Sequence, residues 1–418
     1  MSQSPLSQPL ELPNTTRIPN RLAKAAMEEG LSEYGQVPGK ELETLYERWA
    51  RGGFGLILTG NVMIAPNAMT GPGNVLLEEG VDLEPFRRWA QAGKSGGGQL
   101  WMQISHPGRQ VFKSLGETGL APSEVPLDLG KNSKLIAPVR ALESDEVEEI
   151  IERFATAASL AEQAGFDGVE IHAAHGYLIN QFLSPRVNKR TDKWGGSLEN
   201  RARMLIETVR AVRSKVSDGF GVGVKLNSAD FQKGGFSADD AKTVVKMLNN
   251  EKLDLLELSG GSYESPAMQG NTDGSEANST IKREAYFVDF ARDIGAVAEM
   301  PVMVTGGIFR RSVAEAALAV DDAGFGLDIL GVARASTFEP DLYSKWASGT
   351  LEAVEVPDVT WKNKTMGGLA SMAQAGSNIR RMASGRAPKQ KVSPLFALIK
   401  SQMRSGKLAK RYRAWRES

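Results

Sequence analysis

The most suggestive chemistry in this sequence lies in its three histidines, His106, His172 and His175, each placed just after a short aliphatic run. His172 and His175 fall in Ile171-His-Ala-Ala-His-Gly-Tyr177. Two imidazole N–H groups so close in sequence can converge on one oxygen and stabilise negative charge as it develops on a carbonyl or nitro group. Tyr177, two residues on, can then donate a proton. The same pair can ligate zinc, but zinc needs a third and fourth donor with supporting partners, and only His106 and scattered carboxylates remain to complete a site. A third reading keeps the imidazoles as braces of loops. Spacing by itself leaves all three open.

Other candidates also follow aliphatic runs. Val304-Thr-Gly-Gly-Ile308 and Gly331-Val-Ala-Arg-Ala335 are turns whose backbone N–H groups can cradle an anion, and Arg334 can add a bidentate charge. Either turn alone also reads as an ordinary tight connection. Gln103 offers a donor and an acceptor to the edge of a heterocycle, and Lys225 offers positive charge, although each also reads as a polar group in an ion pair or in solvent.

The elements that must position these residues come from eight short β-branched or aliphatic runs, each followed by a polar loop and then a helical pattern. The runs are Arg21 to Met27, Gly55 to Thr59, Gln99 to Ile104, Gly168 to His172, Gly221 to Leu226, Leu253 to Leu258, Pro301 to Thr305 and Leu327 to Val332. Between them lie amphipathic stretches such as Glu146 to Ala164. Eight such units, with no Gly-x-Gly-x-x-Gly after the first run, favour a closed (β/α)₈ TIM barrel over an open doubly wound sheet. The long polar loops then all follow strands, at the end of a barrel where active sites lie. The alternation gives a barrel over residues 1–350 and a basic, mostly helical C-terminal extension over residues 351–418.

Composition narrows the function further. The chain has no cysteine, which excludes disulfides, thiolate metal sites and iron–sulfur clusters, so redox chemistry must come from a bound cofactor. No apolar run is long enough to span a membrane, and the N-terminus lacks the pattern of a targeting segment, so the expected compartment is the cytoplasm. Net charge is zero, yet from Arg380 to Ser418 twelve Lys or Arg face one acid, Glu417. The tail thus carries +11 and the remainder −11. Packing of the tail on its own barrel or on a neighbouring subunit, aided by Leu395, Phe396, Leu398 and Ile399, is expected in preference to nucleic-acid binding.

The run from Phe166 to Arg201, FDGVEIHAAHGYLINQFLSPRVNKRTDKWGGSLENR, resembles the signature of the Old Yellow Enzyme or NADH:flavin oxidoreductase family. Asn20-Arg21, Gln103-Ile-Ser-His-Pro-Gly-Arg109, Ser259-Gly-Gly-Ser-Tyr-Glu-Ser-Pro266 and the two glycine turns join it, so the resemblance covers about residues 12 to 345. It implies FMN held non-covalently, with Ala25, Ala26 and Met27 against the isoalloxazine, Gln103 at its pyrimidine edge and Lys225 beside N1 and O2. It puts Gly306, Gly307, Ala333 and Arg334 at the phosphate, His172 and His175 on the substrate, and Tyr177 as proton donor. NADH or NADPH is the implied reductant, and an alkene conjugated to a carbonyl or nitro group the implied substrate.

One departure concerns Glu28, which stands where the family commonly has Thr or Cys near the flavin C4 carbonyl. An aromatic residue that some relatives place just after it is missing, so the pocket is expected to be wider, or closed by Tyr263 or the loop before Arg283. Relatives often form homo-oligomers, which extends to this chain as an expectation. The competing readings are a metal-dependent barrel hydrolase using the three histidines and a non-catalytic flavin-binding or interaction protein.

Overall fold

The computed structural model describes residues 4–260, 264, 291–320 and 326–418. All eight aliphatic runs are strands: β1 Leu22–Lys24, β2 Leu56–Leu58, β3 Gln99–Ser105, β4 Gly168–Ala173, β5 Gly221–Asn227, β6 Leu255–Ser259, β7 Val302–Thr305 and β8 Ile329–Val332. Each pairs in parallel with the next, and β8 returns to β1 through Gly331 opposite Ala23, which closes the sheet. Helices α1 Lys40–Ala50, α2 Glu84–Lys94, α3 Ser144–Gln163, α4 Leu198–Lys215, α5 Ala238–Leu248, α6 Arg311–Leu318 and α7 Leu342–Ala347 lie in the connections. In α3 the buried residues Val147, Ile150, Ile151, Phe154, Ala158 and Ala161 recur at helical spacing, the apolar stripe that the sequence pattern predicts.

Because side chains alternate across a strand, every second residue points into the barrel. Its lower interior is filled by Trp101 of β3, fully buried. The neighbouring strands begin with glycine for this reason. A Cβ on Gly221 would lie 2.3 Å from the indole ring, and one on Gly168 2.6 Å from it. A hairpin of Leu10–Glu11 and Arg17–Ile18 brings Leu10, Leu12 and Ile18 into the same apolar cluster as Trp101, Leu56 and Ile329. The barrel floor is therefore solid, and chemistry is confined to the other end.

The extension forms α8 Lys364–Ala383 and α9 Pro394–Arg416, packed on each other through Ala370, Ala373, Ala397 and Leu398. Helix α9 lies across loops that follow the first three strands. Arg404 donates to the Gly30 carbonyl at 3.1 Å and Arg411 to Ser32 at 2.5 Å. The Tyr412 hydroxyl lies 2.7 Å from the Pro66 carbonyl and 2.8 Å from Glu117 Oε1. Of the four apolar residues early in α9, Leu398 is 7 % exposed and packs on α8, whereas Phe396 is 65 % exposed and Leu395 and Ile399 also face away from this chain's own barrel. The helix turns its backbone-clamping arginines inward and leaves that apolar face uncovered.

Removing the Tyr412 hydroxyl tests the clamp. Tyr412→Phe removes the one hydroxyl proton that the part-buried Pro66 carbonyl and Glu117 carboxylate compete for, Arg416 remaining as a donor to Glu117, and is expected to lower unfolding stability by roughly 1 kcal/mol in urea titrations. A change below about 0.5 kcal/mol would show that the contact is incidental.

Candidate active site

The upper inward positions of the strands are polar, in contrast to the floor. Gln103 on β3, Glu170 and His172 on β4, Lys225 and Asn227 on β5, and Glu257 and Ser259 on β6 are all buried. The register puts His172 beside Lys225 and Lys225 beside Glu257. Lys225 Nζ donates to Glu257 Oε1, while Gln103 Nε2 donates to Glu170 Oε2 at 2.6 Å. Burial works against charge on all three ionisable groups. For Lys225 the carboxylates of Glu257 and Glu170 outweigh it and hold the ammonium above its ordinary range. Glu257 is held low, with Lys225 overcoming burial, and Glu170 is pushed well above the carboxylate range by burial and by Glu257.

His172 ends β4 and accepts a hydrogen bond from Ala174 N through Nδ1 at 3.3 Å, so its Nε2 carries the proton. His175 sits in the left-handed region at φ +63°, unusual for a residue other than glycine. Its backbone is pinned there on both sides, since its N–H donates to Asn227 Oδ1 at 3.0 Å and its carbonyl accepts from Gln110 Nε2 at 3.0 Å. Asn180 extends the brace, accepting from Gly176 N at 2.7 Å. The two imidazole rings lie 5.0 Å apart between centroids, and Tyr177 packs edge-on to His172 at 4.7 Å. His175 Nε2 is 2.8 Å from Ser259 Oγ. Burial pushes both imidazoles well below their ordinary range, aided by Lys225 and, for His175, by His172. They are neutral donors over the physiological range.

At the ends of β1, β7 and β8, Ala26, Met27, Glu28, Thr305, Gly306, Gly307, Ala333 and Arg334 all keep solvent access at the top of a closely packed barrel. A Cβ on Gly307 would meet only Phe309, at 3.4 Å, so the cradle there is open. Arg334 lies over the Phe309 ring at 5.7 Å and donates to Ser371 Oγ of α8 at 2.9 Å. Ala25 is buried against the barrel interior. Tyr263 and the loop before Arg283 lie outside the described residues.

The Glu28 carboxyl lies against Gly71, where a Cβ would come within 2.3 Å of Oε1, and is hydrogen-bonded by Asn74 and Thr70. Glu28 is solvent-accessible yet closely surrounded by protein, the situation of a group lining a recess. That enclosure, with Glu29 nearby, pushes it up to about 7 against the pull of Asn74. A carboxyl raised from 4.5 to about 7 binds its proton more tightly in the folded state, so this group lowers stability as pH rises through that window. Glu28→Gln is expected to be more stable than the parent at about pH 8 and equal to it at about pH 4 in denaturant titrations. A gap independent of pH would refute the shift.

His106 is buried and turned into its own loop, where Nδ1 accepts from Gly108 N at 3.1 Å; burial pushes it down to about 3. Among the described residues no three His, Asp or Glu side chains gather as metal ligands, and no helix is long and apolar enough to cross a membrane.

Several partners of the site escape a reading of single residues. Glu170, Glu257, Ser259 and Asn227 were not singled out, although a carboxylate inside Val-Glu-Ile and Leu-Glu-Leu is a detectable anomaly in strands this apolar. Lys24 was missed too. It points outward from β1, fully buried, with Nζ donating to the Leu58 carbonyl at 2.7 Å and lying 4.3 Å over the Trp49 ring, and burial lowers it to about 8.

Residues 5–352 match the NADH:flavin oxidoreductase / NADH oxidase family. The NADH-dependent flavin oxidoreductase nadA of Aspergillus parasiticus is 38 % identical over 368 residues, 85 % of this chain and 81 % of that protein. The NADH-dependent flavin oxidoreductase iliE of Hypocrea jecorina is 35 % identical over 81 % of this chain and 88 % of that protein. Among solved structures, morphinone reductase aligns with a TM-score of 0.69 at 26 % identity, over 85 % of this chain and 92 % of its own. The old yellow enzyme homologue from Zymomonas mobilis gives 0.69 at 26 %, over 84 % and 94 %. With a closed barrel, a polar mouth and agreement over most of the chain, this protein belongs to the NADH:flavin oxidoreductase / NADH oxidase family.

Proposed function

We propose that this flavin oxidoreductase reduces alkenes conjugated to a carbonyl or nitro group, with NADH as electron source. The observation that carries the reading is the cluster of His172, His175 and Tyr177, two neutral imidazoles and a phenol packed together over a buried polar layer. FMN, when bound, supplies a two-electron carrier between NADH and the alkene.

The residues present suit that group. The ends of β1, β7 and β8 offer small side chains at the buried Ala25 and the accessible Ala26 beside Met27, glycines at Gly306 and Gly307 with open space over Gly307, and Ala333 and Arg334 for a phosphate. Gln103 and Lys225 lie below, able to meet the heterocycle edge with a donor and a positive charge. His172, with its proton on Nε2, donates to the substrate oxygen. His175 donates beside it through Nδ1, with Nε2 accepting from the Ser259 hydroxyl. Both bonds strengthen as charge gathers on that oxygen, so they act mainly on the transition state. Tyr177 delivers a proton to the carbon next to the activating group. Its burial against His172 keeps bulk water from that carbon.

The decisive experiment reduces the flavin-loaded protein anaerobically with NADH, and in parallel NADPH, then mixes it with a panel of enones, nitroalkenes and dienes. Fast reoxidation by an activated alkene is expected. Reoxidation by oxygen alone would overturn the reading. In the same preparation Glu28→Gln is expected to make the flavin easier to reduce if Glu28 carries charge near the C4 carbonyl, and an unchanged potential would remove Glu28 from the flavin site.

A further inference from the structure

Gln103, Glu170, Lys225 and Glu257 form a polar band across adjoining layers above the apolar barrel floor, each exposed by no more than 3 %. Layers in a closed eight-stranded barrel are filled by side chains of alternate strands. Glu170 of β4 and Glu257 of β6 therefore share a layer. Between them on β5 stands Gly223, in register with Glu170 on one side and Leu255 on the other. It belongs with Trp101 to the layer below, since a Cβ there would come within 3.0 Å of the indole ring, and above it the two carboxyls lie within hydrogen-bonding reach of each other. Gln103 occupies Oε2 of Glu170, and Lys225 occupies Oε1 of Glu257. Glu170 Oε1 and Glu257 Oε2 remain, both buried; the neutral Thr305 hydroxyl is near enough to donate to Glu257, and Glu170 Oε1 has no donor among the described residues.

A single cation cannot neutralise two carboxylates at this depth, and an uncompensated buried charge is strongly disfavoured. Two carboxyls in contact resolve this by holding one proton as a pair. We propose that Glu170 and Glu257 share one proton between Oε1 and Oε2, that the layer is thereby neutral with Lys225, and that the pair governs how much of the Lys225 charge reaches the flavin. The last clause rests on the placement of FMN given above; the shared proton does not. The displacement of Glu170 upward and Glu257 downward agrees with the proton lying nearer Glu170. The other ionisable groups around the layer do not supply a second counterion. His172 and His175 are neutral, and Lys24 spends its charge outside the barrel wall near Glu29. Glu170 and Glu257 are thus positioning residues that act through Lys225 and Gln103.

The test is infrared spectroscopy of the flavin-loaded protein carrying carboxyl-isotope-labelled glutamate, which separates glutamate from flavin carbonyls. A protonated carboxyl band at neutral pH that shifts with the label is expected. It disappears in Glu170→Gln, and also in Glu257→Gln, where Glu170 becomes the counterion of Lys225 and ionises. Absence of the band in the parent, or its survival in either variant, overturns the shared proton. The second readout is the affinity for reduced relative to oxidised FMN. Glu170→Gln replaces a neutral group by a neutral donor and is expected to move the ratio little. The double variant Glu170→Gln/Glu257→Gln leaves Lys225 uncompensated and raises the ratio on the order of tenfold or more. A band that behaves as stated beside an unmoved ratio in the double variant overturns the link between Lys225 and the flavin while the shared proton stands.

Discussion

His172→Ala is expected to slow reoxidation of the reduced enzyme by an enone on the order of 100-fold or more, and to leave the reduction of the flavin by NADH much less affected. The argument is one of differential binding. On the proposed reaction the Nε2–H of His172 would face a substrate oxygen that is weakly basic in the ground state and becomes strongly basic as hydride arrives, so the donor would be used where the barrier is highest. NADH offers only its carboxamide oxygen, which gains no comparable negative charge as hydride leaves the ring. Stopped-flow measurement of the two half-reactions separates them, and equal losses in both would show that His172 acts through the fold or through flavin binding. His175 needs a different substitution. With φ at +63°, alanine there adds backbone strain to donor loss, whereas asparagine tolerates the left-handed region and keeps an N–H. His175→Asn is therefore expected to lose less than His175→Ala. The pair acts on one oxygen, so the double alanine variant is expected to fall short of the sum of the single losses. Both imidazoles are held neutral far below the usual range, so the alkene half-reaction should show no histidine titration between about pH 5 and pH 8.

Lys225→Met is expected to be the most damaging single change in the barrel, costing about 3–5 kcal/mol of stability, since it leaves Glu257 buried, charged and without its cation. The loss follows from the missing partner more than from the worth of the pair, so Lys225→Met/Glu257→Gln should recover most of it. Chemical denaturation of the three proteins measures this, and a double variant no more stable than Lys225→Met would place the damage in packing. The signs of the shifts fix the pH window. Lys225 has its affinity for a proton raised by folding, so its contribution is lost only as pH climbs above the lysine range. Glu257 is lowered, so its contribution is lost only as pH falls below the carboxylate range. Between those limits the pair's contribution is flat with pH.

The barrel was legible because each of its strands is a short apolar run bounded by polar loops, and no long-range information is needed to recognise such a run. The histidine pair and the glycine turns were legible for a related reason, since each is local in sequence. What was not legible depends on closure. Glu170 and Glu257 look like isolated polar residues until β4, β5 and β6 stand side by side, and only then do the two carboxyls come within reach of each other and of Lys225. The left-handed backbone of His175 is likewise imposed by Asn227 and Gln110, which come from the end of β5 and the loop after β3. In α9 the alternation of apolar and basic residues could not say which face turns inward. The arginines and Tyr412 took that face by capturing loop carbonyls, and Phe396 was left outside.

That same clamp has a kinetic side. Arg404, Arg411 and Tyr412 reach loop atoms 374, 379 and 346 residues earlier in the chain, among the most distant contacts in the molecule. Contacts of such separation form late, because loop closure must be met before they return anything. During synthesis the barrel strands emerge first, and the loops after β1, β2 and β3 wait for the final helix. The side of the mouth they border thus takes its working shape only after every barrel strand and α9 have been made, and it is the part of the barrel first exposed to a protease that removes α9.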